Sequence, residues 1–198
     1  MFVTTHSPAA IAAAGQASLW YVDHKGEIGA LAATKVARHR VADPDAFLSR
    51  LTIVAEGATE VGFSSALLER ALGKPLIHFG VHVSNGGGHE FTLELLEGLK
   101  AGGLSFGGFA DDEDGKHPTR WKTLGDALGR LLFRWPKGCL EENVFAVAPD
   151  ATLESLMADP NGERTGIRRQ TLTLRLGIQA KTFAEVAAAA GDKLRPTM

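Results

Sequence analysis

Cysteine is almost missing from this chain of 198 residues: there is one, Cys139. A single thiol excludes an intramolecular disulfide and argues against a cysteine-built zinc site. No apolar run approaches the roughly 18–20 residues of a membrane span. The start, MFVTTHSPAA, has neither the positive first region nor the long apolar core of a secretory signal. A cytoplasmic protein with no membrane partner is expected. Charge of one sign is not in excess either: 21 Lys and Arg against 23 Asp and Glu leave a net charge of −2. Such a chain has no overall basic field to hold a polyanion at long range, so any binding to nucleic acid must come from local patches or bridging cations. Two nucleotide signatures are missing as well. There is no GxxxxGK[ST] phosphate loop, and no GxGxxG at a strand–helix turn, which removes a self-sufficient ATPase and a dinucleotide-dependent oxidoreductase.

What is present is a globular balance, 44% hydrophobic and 22% charged residues, of a length that suits one domain or one domain with an added piece. Residues Phe2–Thr5 read as a short strand, with Ser7 capping a helix from Pro8 to Ala14. Ala17–Asp23 and Glu27–Thr34 read as a hairpin around His24-Lys25-Gly26. Asp43 or Asp45 can cap a short helix around Pro44. The middle then alternates. Strands are expected at Leu51–Ala55, Leu76–Val83 and Leu104–Ala110. Helices are expected after Glu56-Gly57, where Val61, Ser64, Ala66, Leu67, Leu68 and Leu72 form a mostly apolar face, at Glu90–Leu99 and at Leu124–Phe133. Strand and helix in turn, with short connections, is the pattern of a parallel α/β sheet flanked by helices. From Leu140 onward the spacing suggests helices at Glu141–Ala146, Leu153–Met157, Thr165–Leu176 and Thr182–Ala190.

In an open parallel sheet, functional groups collect beyond the carboxyl ends of the strands. Two of those ends are acidic here. Glu56 closes the first strand, Gly57 permits a sharp turn, and Glu60 lies about one helical turn further on. Asp111-Asp112-Glu113-Asp114 follows the third strand directly. Carboxylates brought together repel one another unless a cation lies between them, and oxygen-only ligands suit Mg²⁺ or Mn²⁺. Read as residues alone, either cluster is equally well a solvated loop or a helix cap.

The pattern Val-x-Glu-Gly-x-Thr-Glu-Val-x-Phe at 54–63, followed by Phe109-Ala110-Asp111-Asp112-Glu113-Asp114-Gly115, resembles the Toprim domain, and within it the OLD (overcoming lysogenization defect) family of nucleases. The resemblance covers about Leu51–Val147. Val3-Thr4-Thr5-His6-Ser7-Pro8 is similar to the switch-histidine motif that ends an ABC-type ATPase, which OLD proteins place before Toprim. The resemblance implies an α/β Toprim-like Rossmannoid sheet with helical C-terminal segments. It divides the chain into 1–50, the remnant of an ATPase sheet and a linker, and 51–198, the catalytic domain. It implies a DNA endonuclease that cleaves phosphodiester bonds with Mg²⁺ or Mn²⁺, two ions being expected. Glu56, Asp112 and Asp114 would be core ligands, and Glu60 and Glu141 would complete the second ion's shell. Asp111 and Glu113 are the alternatives in register, and Glu142 is the alternative to Glu141. Lys181, with Lys193 as alternate, would stabilise developing charge on the phosphate. His6 would sense nucleotide in the parent ATPase, so the chain is expected to be part of a longer nuclease or a truncated relative.

Other residues are less specific. Asn85-Gly86-Gly87-Gly88-His89 is a Gly-rich turn that can approach a phosphate or serve only as a tight turn. Lys116-His117-Pro118-Thr119-Arg120-Trp121-Lys122 combines three cations with an aromatic and reads equally as a phosphate-contact loop for DNA, with Lys116, Arg120 and Lys122 as the contacts, or as a solvated loop. Arg164, Arg168, Arg169 and Arg175 are a second candidate for DNA. His78 and His82 read as strand residues, and Cys139 as inert. Alternatives are another Toprim enzyme, of primase or ribonuclease type, and a non-catalytic Mg²⁺-binding assembly module. A homodimer is left open.

Overall fold

The computed structural model describes residues 2–15, 17–22, 26–31, 33–112 and 115–147, together with residues 173, 174, 177, 179, 185 and 188. The chain forms two compact units. The first is Met1–Ala110 with Lys116–Arg134, and the second is Asp111–Gly115 with Trp135–Met198. The expected helices Leu153–Met157, Thr165–Leu176 and Thr182–Ala190 fall almost wholly outside the described residues.

The first unit is an α/β structure on a four-stranded, wholly parallel sheet. Helix α1 (Pro8–Ala13) is capped as expected, the Ser7 hydroxyl accepting from the Ala10 amide at 3.4 Å. Strands β1 (Trp20–Val22) and β2 (Ile28–Ala30) pair antiparallel as a hairpin. Residues 2–5 form no strand, contrary to expectation, and the side chains of Phe2 and Val3 are exposed. A strand needs a partner for its backbone groups, and the described chain offers this segment none. Helix α2 (Ala33–Ala42) was not legible, since Lys, Arg and His interrupt its apolar positions. A 3₁₀ turn at Pro44–Phe47 leads into β3 (Leu51–Ala55), whose β-branched Ile and Val suit a buried pleat. Then come α3 (Ala58–Leu72), β4 (Val81–Asn85), α4 (His89–Gly102), β5 (Phe106–Ala110), α5 (Pro118–Leu128) and β6 (Leu132–Arg134). The order across the sheet is β4-β3-β5-β6.

The register places Val54 beside Ser84 and Gly108, all on one sheet face. Helices α2, α4 and α5 lie over that face. Leu93, Leu95, Leu96 and Leu99 of α4 are buried. A Cβ on Gly108 would stand 2.6 Å from Leu132 and 3.1 Å from Leu96. The glycine is there so that α4 can approach the central strand. Helix α3 covers the opposite face, where Phe63 meets Phe109 at 5.9 Å and Phe109 stacks on Phe133 at 5.2 Å. Ile11, Leu31, Val36 and Phe47 join Val54 and the α4 leucines in one core, so the segment before residue 51 packs with the sheet.

Three expectations need correction. The helix expected at Leu124–Phe133 starts earlier, at Pro118, and its last residues are the fourth strand. Leu132-Phe133-Arg134 is too short to show alternation, and only pairing with Gly108–Ala110 makes it a strand. The strand expected at Leu76–Val83 begins at Val81, because Leu76–Phe79 is a 3₁₀ turn closed by Gly80 at φ +67°. His82 is therefore a strand residue and His78 is not. On α3, Leu67 and Leu72 are exposed, and the buried positions are Glu60 and Ser64. Among the described residues no helix is long and apolar enough to cross a membrane.

Candidate functional site

The carboxyl edge of the parallel sheet in the first unit holds two acidic side chains in the protein interior. Glu56 follows the last residue of β3, and Glu60 lies in the first turn of α3; they are 8% and 7% exposed. Burying two carboxylates so close in sequence is costly without compensating partners. The backbone fixes their turn. The Glu56 amide donates to the Phe109 carbonyl at 3.1 Å, and the Glu56 carbonyl accepts from the Gly88 amide at 2.8 Å. Gly57 was expected to be needed for its conformational freedom. Its backbone is extended (φ −145°, ψ −175°), which any residue adopts. What glycine supplies is room for a neighbouring side chain: a Cβ there would stand 2.9 Å from Oε2 of Glu60. The Glu60 carboxylate is thus folded back over the turn that carries Glu56.

The Gly-rich turn after β4 completes this edge. The Asn85 side-chain oxygen accepts from the Gly87 amide at 2.9 Å, and the Gly86 amide donates to the Ala55 carbonyl at 2.8 Å. Gly87 and Gly88 have φ +84° and +106°, which a side chain rarely tolerates. The turn delivers His89 as the first residue of α4. His89 is buried, and its Nδ1 lies 3.6 Å from Oε2 of Glu56. Its other nitrogen, Nε2, accepts from the indole N–H of Trp121 at 3.3 Å. The imidazole ring is 5.4 Å from the Trp121 ring and 6.0 Å from that of His117, with which it stacks. His117, at the N-cap position of α5, has φ +52°, the only non-glycine in that region among the described residues. Such a conformation costs on the order of 1 kcal/mol or more and is often retained near functional sites. The His117 Nε2 bonds to Glu90, whose carboxyl is held below the usual range chiefly by that bond. Sequence reasoning quoted His89 only as the end of a turn. Its partner Trp121 is far away in sequence, and no local signal links the two.

The cationic segment is not a loop. Arg120 and Lys122 are on α5, because Pro118 opens a helix there. Arg120 donates to both oxygens of Glu97, at 2.8 and 3.0 Å, and that pairing raises its pKa. Lys122 pairs with Asp126 one turn along at 2.8 Å, also raising its pKa. Lys116 is exposed. His6 is exposed just before the cap of α1.

A second group of ionisable residues lies under α2. His82 Nε2 donates to both oxygens of Asp43, at 3.0 and 2.9 Å; the Ser84 hydroxyl also donates to Asp43 and accepts from His39 Nε2 at 2.6 Å. Burial pushes the Asp43 carboxyl up, but the bonds from His82 and Ser84 outweigh it and leave it below the usual range. The bond to Asp43 raises His82, and burial lowers His39. A cleft of about 430 Å³ next to this group is lined by Arg38, His39, Asp43, Asn85 and Glu94 among others, and its mixed charge selects no ligand.

In the second unit, Asp111 and Asp112 meet the start of helix α6 (Leu140–Val147) and the turn before it. Asp111 is buried, and its Oδ1 accepts from the Leu140 amide at 2.9 Å. Glu142 reaches back to accept from the Cys139 amide at 3.0 Å, a reciprocal cap. The Asp112 amide donates to the Gly138 carbonyl at 3.1 Å. Ligand atoms of Asp111, Cys139 and Glu141 lie within 4.8 Å of one another. Burial, with the neighbouring glutamates adding to it, pushes the Cys139 thiol up to about 12, so sulfur is protonated at neutral pH. This agrees with an inert Cys139. Glu141 is exposed, while Glu142 caps the helix. Glu113, Asp114, Arg164, Arg168, Arg169, Arg175, Lys181 and Lys193 lie outside the described residues.

The chain is similar to solved C-terminal regions of OLD proteins, the family its motifs resemble. The Burkholderia pseudomallei region is 18% identical with a TM-score of 0.45, covering 74% of this chain and 89% of that one. Two structures of the Xanthomonas campestris pv. campestris region are 20% and 16% identical, with TM-scores of 0.44 and 0.46. They cover 73% and 76% of this chain, and 81% and 90% of those. No protein-family model and no curated protein matches the chain.

Proposed function

We propose that this chain is a Toprim-type, metal-dependent nuclease module of the OLD kind, acting on DNA phosphodiester bonds. The observation that carries the reading is the pair of buried carboxylates, Glu56 and Glu60, folded onto one turn at the carboxyl edge of a parallel sheet. Two interior carboxylates on so short a turn suit a hard divalent cation better than solvent. Strand β5 is the parallel neighbour of β3, and the chain continues from it into Asp111–Asp114. Glu56, Glu60, Asp112 and Asp114 are the proposed ligands of Mg²⁺ or Mn²⁺, with Glu141 as a further one. Asp111 is instead assigned to capping α6, in keeping with its bond to the Leu140 amide.

A bound divalent ion supplies Lewis acidity and a water of lowered pKa. The residues of the chain do the rest. Glu56 and Glu60 bind and orient, and their burial excludes bulk water. Lys181 is proposed to face the phosphate. Lys116, Arg120 and Lys122 are proposed DNA contacts, with Arg168 and Arg169 as a second patch. Arg120 and Lys122 must exchange Glu97 and Asp126 for phosphate, so binding at this segment is modest and salt-sensitive. The unpaired segment 2–5 and His6 would be covered by an ATPase domain, the proposed partner and source of nucleotide control.

The test is nicking of supercoiled plasmid by the purified chain in Mn²⁺, Mg²⁺ or EDTA. Activity should need the metal and disappear in Glu56→Gln and in Asp112→Asn. Metal-independent cleavage, or variants as active as the parent, would refute the assignment.

A further inference from the structure

His89 has two ring nitrogens, and its surroundings distinguish them. The indole of Trp121 is only a donor, so the Nε2 it reaches at 3.3 Å must be the unprotonated nitrogen of a neutral imidazole. The proton is then on Nδ1. That nitrogen is buried, has no hydrogen-bond partner, and lies 3.6 Å from Oε2 of Glu56. A buried N–H left over at such a distance is within electrostatic reach of the carboxylate but short of a bond to it. Nor is the ring free to turn away. It packs against both Trp121 and His117, and it follows a turn whose glycines at 87 and 88 fix the entry into α4.

We propose that His89 is a positioning residue: it presents Nδ1–H to the Glu56 carboxylate, in a tautomer set by Trp121, and so orients Glu56 toward a divalent cation. This rests on the proposed metal-binding role of Glu56. Carboxylates that hold metals are themselves oriented by donors behind them, and losing such a donor typically costs about 10–100-fold in metal affinity. The chain Trp121–His89–Glu56 joins α5, α4 and the end of β3. It therefore ties the position of the ligand to the packing of two helices on the same sheet face.

Substitution separates the two nitrogens. Asparagine places an amide nitrogen near the position of Nδ1, and glutamine near that of Nε2. Mn²⁺ binding to the full chain should be measured calorimetrically for the parent, His89→Asn, His89→Gln and Glu56→Ala, with thermal melts to confirm folding. His89→Asn should stay within about threefold of the parent, while His89→Gln should lose about 10–100-fold. Equal loss in the two variants, or no loss in His89→Gln while Glu56→Ala abolishes binding, overturns the positioning role and leaves the metal reading intact. A parent that binds no Mn²⁺ overturns both. Nitrogen NMR of the metal-free chain gives a readout independent of metal. Nδ1–H should dominate at His89, and Trp121→Phe should release the Nε2–H form; a dominant Nε2–H form in the parent overturns the proposal.

Discussion

Replacing Gly86 by alanine tests how tightly the Gly-rich turn is held against α4. A Cβ at this position would stand 2.0 Å from Oγ1 of Thr92, 2.9 Å from its Cβ and 3.0 Å from its Cα. Thr92 is fully buried, and its amide is bonded to the Gly88 carbonyl at 2.9 Å. The neighbour cannot swing aside, since two of the three close atoms belong to the backbone or its root in the first turn of a well-packed helix. Overpacking of this kind costs about 1–3 kcal/mol, and the 2.0 Å approach puts it at the upper end. For a chain of this size each kcal/mol shifts the melting temperature by about 2–4 °C, so a fall of about 5–10 °C is expected. Thr92→Ala removes the nearest atom but not the other two. The double variant should then recover part of the loss, with a coupling of about 1 kcal/mol or more in a double-mutant cycle. The assay is thermal unfolding followed by circular dichroism. A Gly86→Ala variant that melts within about 2 °C of the parent, or a double variant that is purely additive, would refute the close approach.

Gly57→Ala should behave in the opposite way. The obstacle is the mobile end of Glu60 and the backbone is ordinary, so stability should change by about 1 kcal/mol or less while Mn²⁺ affinity falls at least about tenfold; a change in stability alone would refute the reasoning. The Asp43–His82 pair should make stability depend on pH. His82 titrates higher in the fold than when unfolded, so its contribution is complete below about pH 6.5 and is lost as pH rises through the raised value. Asp43 titrates lower, so its contribution is present above about pH 4 and is lost as pH falls through the depressed value. His39, Arg38 and Asp45 also face the pair, and the lowered pKa of His39 works against the His82 effect as pH falls. The melting-temperature gap between the parent and His82→Gln, in which His39 is unchanged, should therefore be larger at pH 6 than at pH 8.5, and equal gaps would count against the pairing.

Local signals in the sequence determined most of the sheet. The leucine spacing of α4 reflects burial on the helical period, and the apolar runs at 51–55 and 106–110 reflect short buried strands; both signals are visible in one dimension. The acidic turn Glu56–Glu60 was visible as a pattern, but that its two carboxylates are buried rather than solvated was decided by the fold. The Ser7 cap was readable because its bond reaches only three residues. What the sequence left undecided depended on partners far along the chain. Leu132–Arg134 became a strand only by pairing with Gly108–Ala110. Arg120 looks like a free cation until Glu97, 23 residues away, is placed beside it. Gly57 and Gly108 look like conformational choices, yet both are spatial ones, made by Glu60 and by Leu96 and Leu132. His89 was the least legible: its tautomer and its aim depend on Trp121, 32 residues away, and on Glu56 across the sheet edge. A side chain's chemistry type is written in its own position, but its charge, tautomer and direction are set by whichever groups the tertiary fold packs against it.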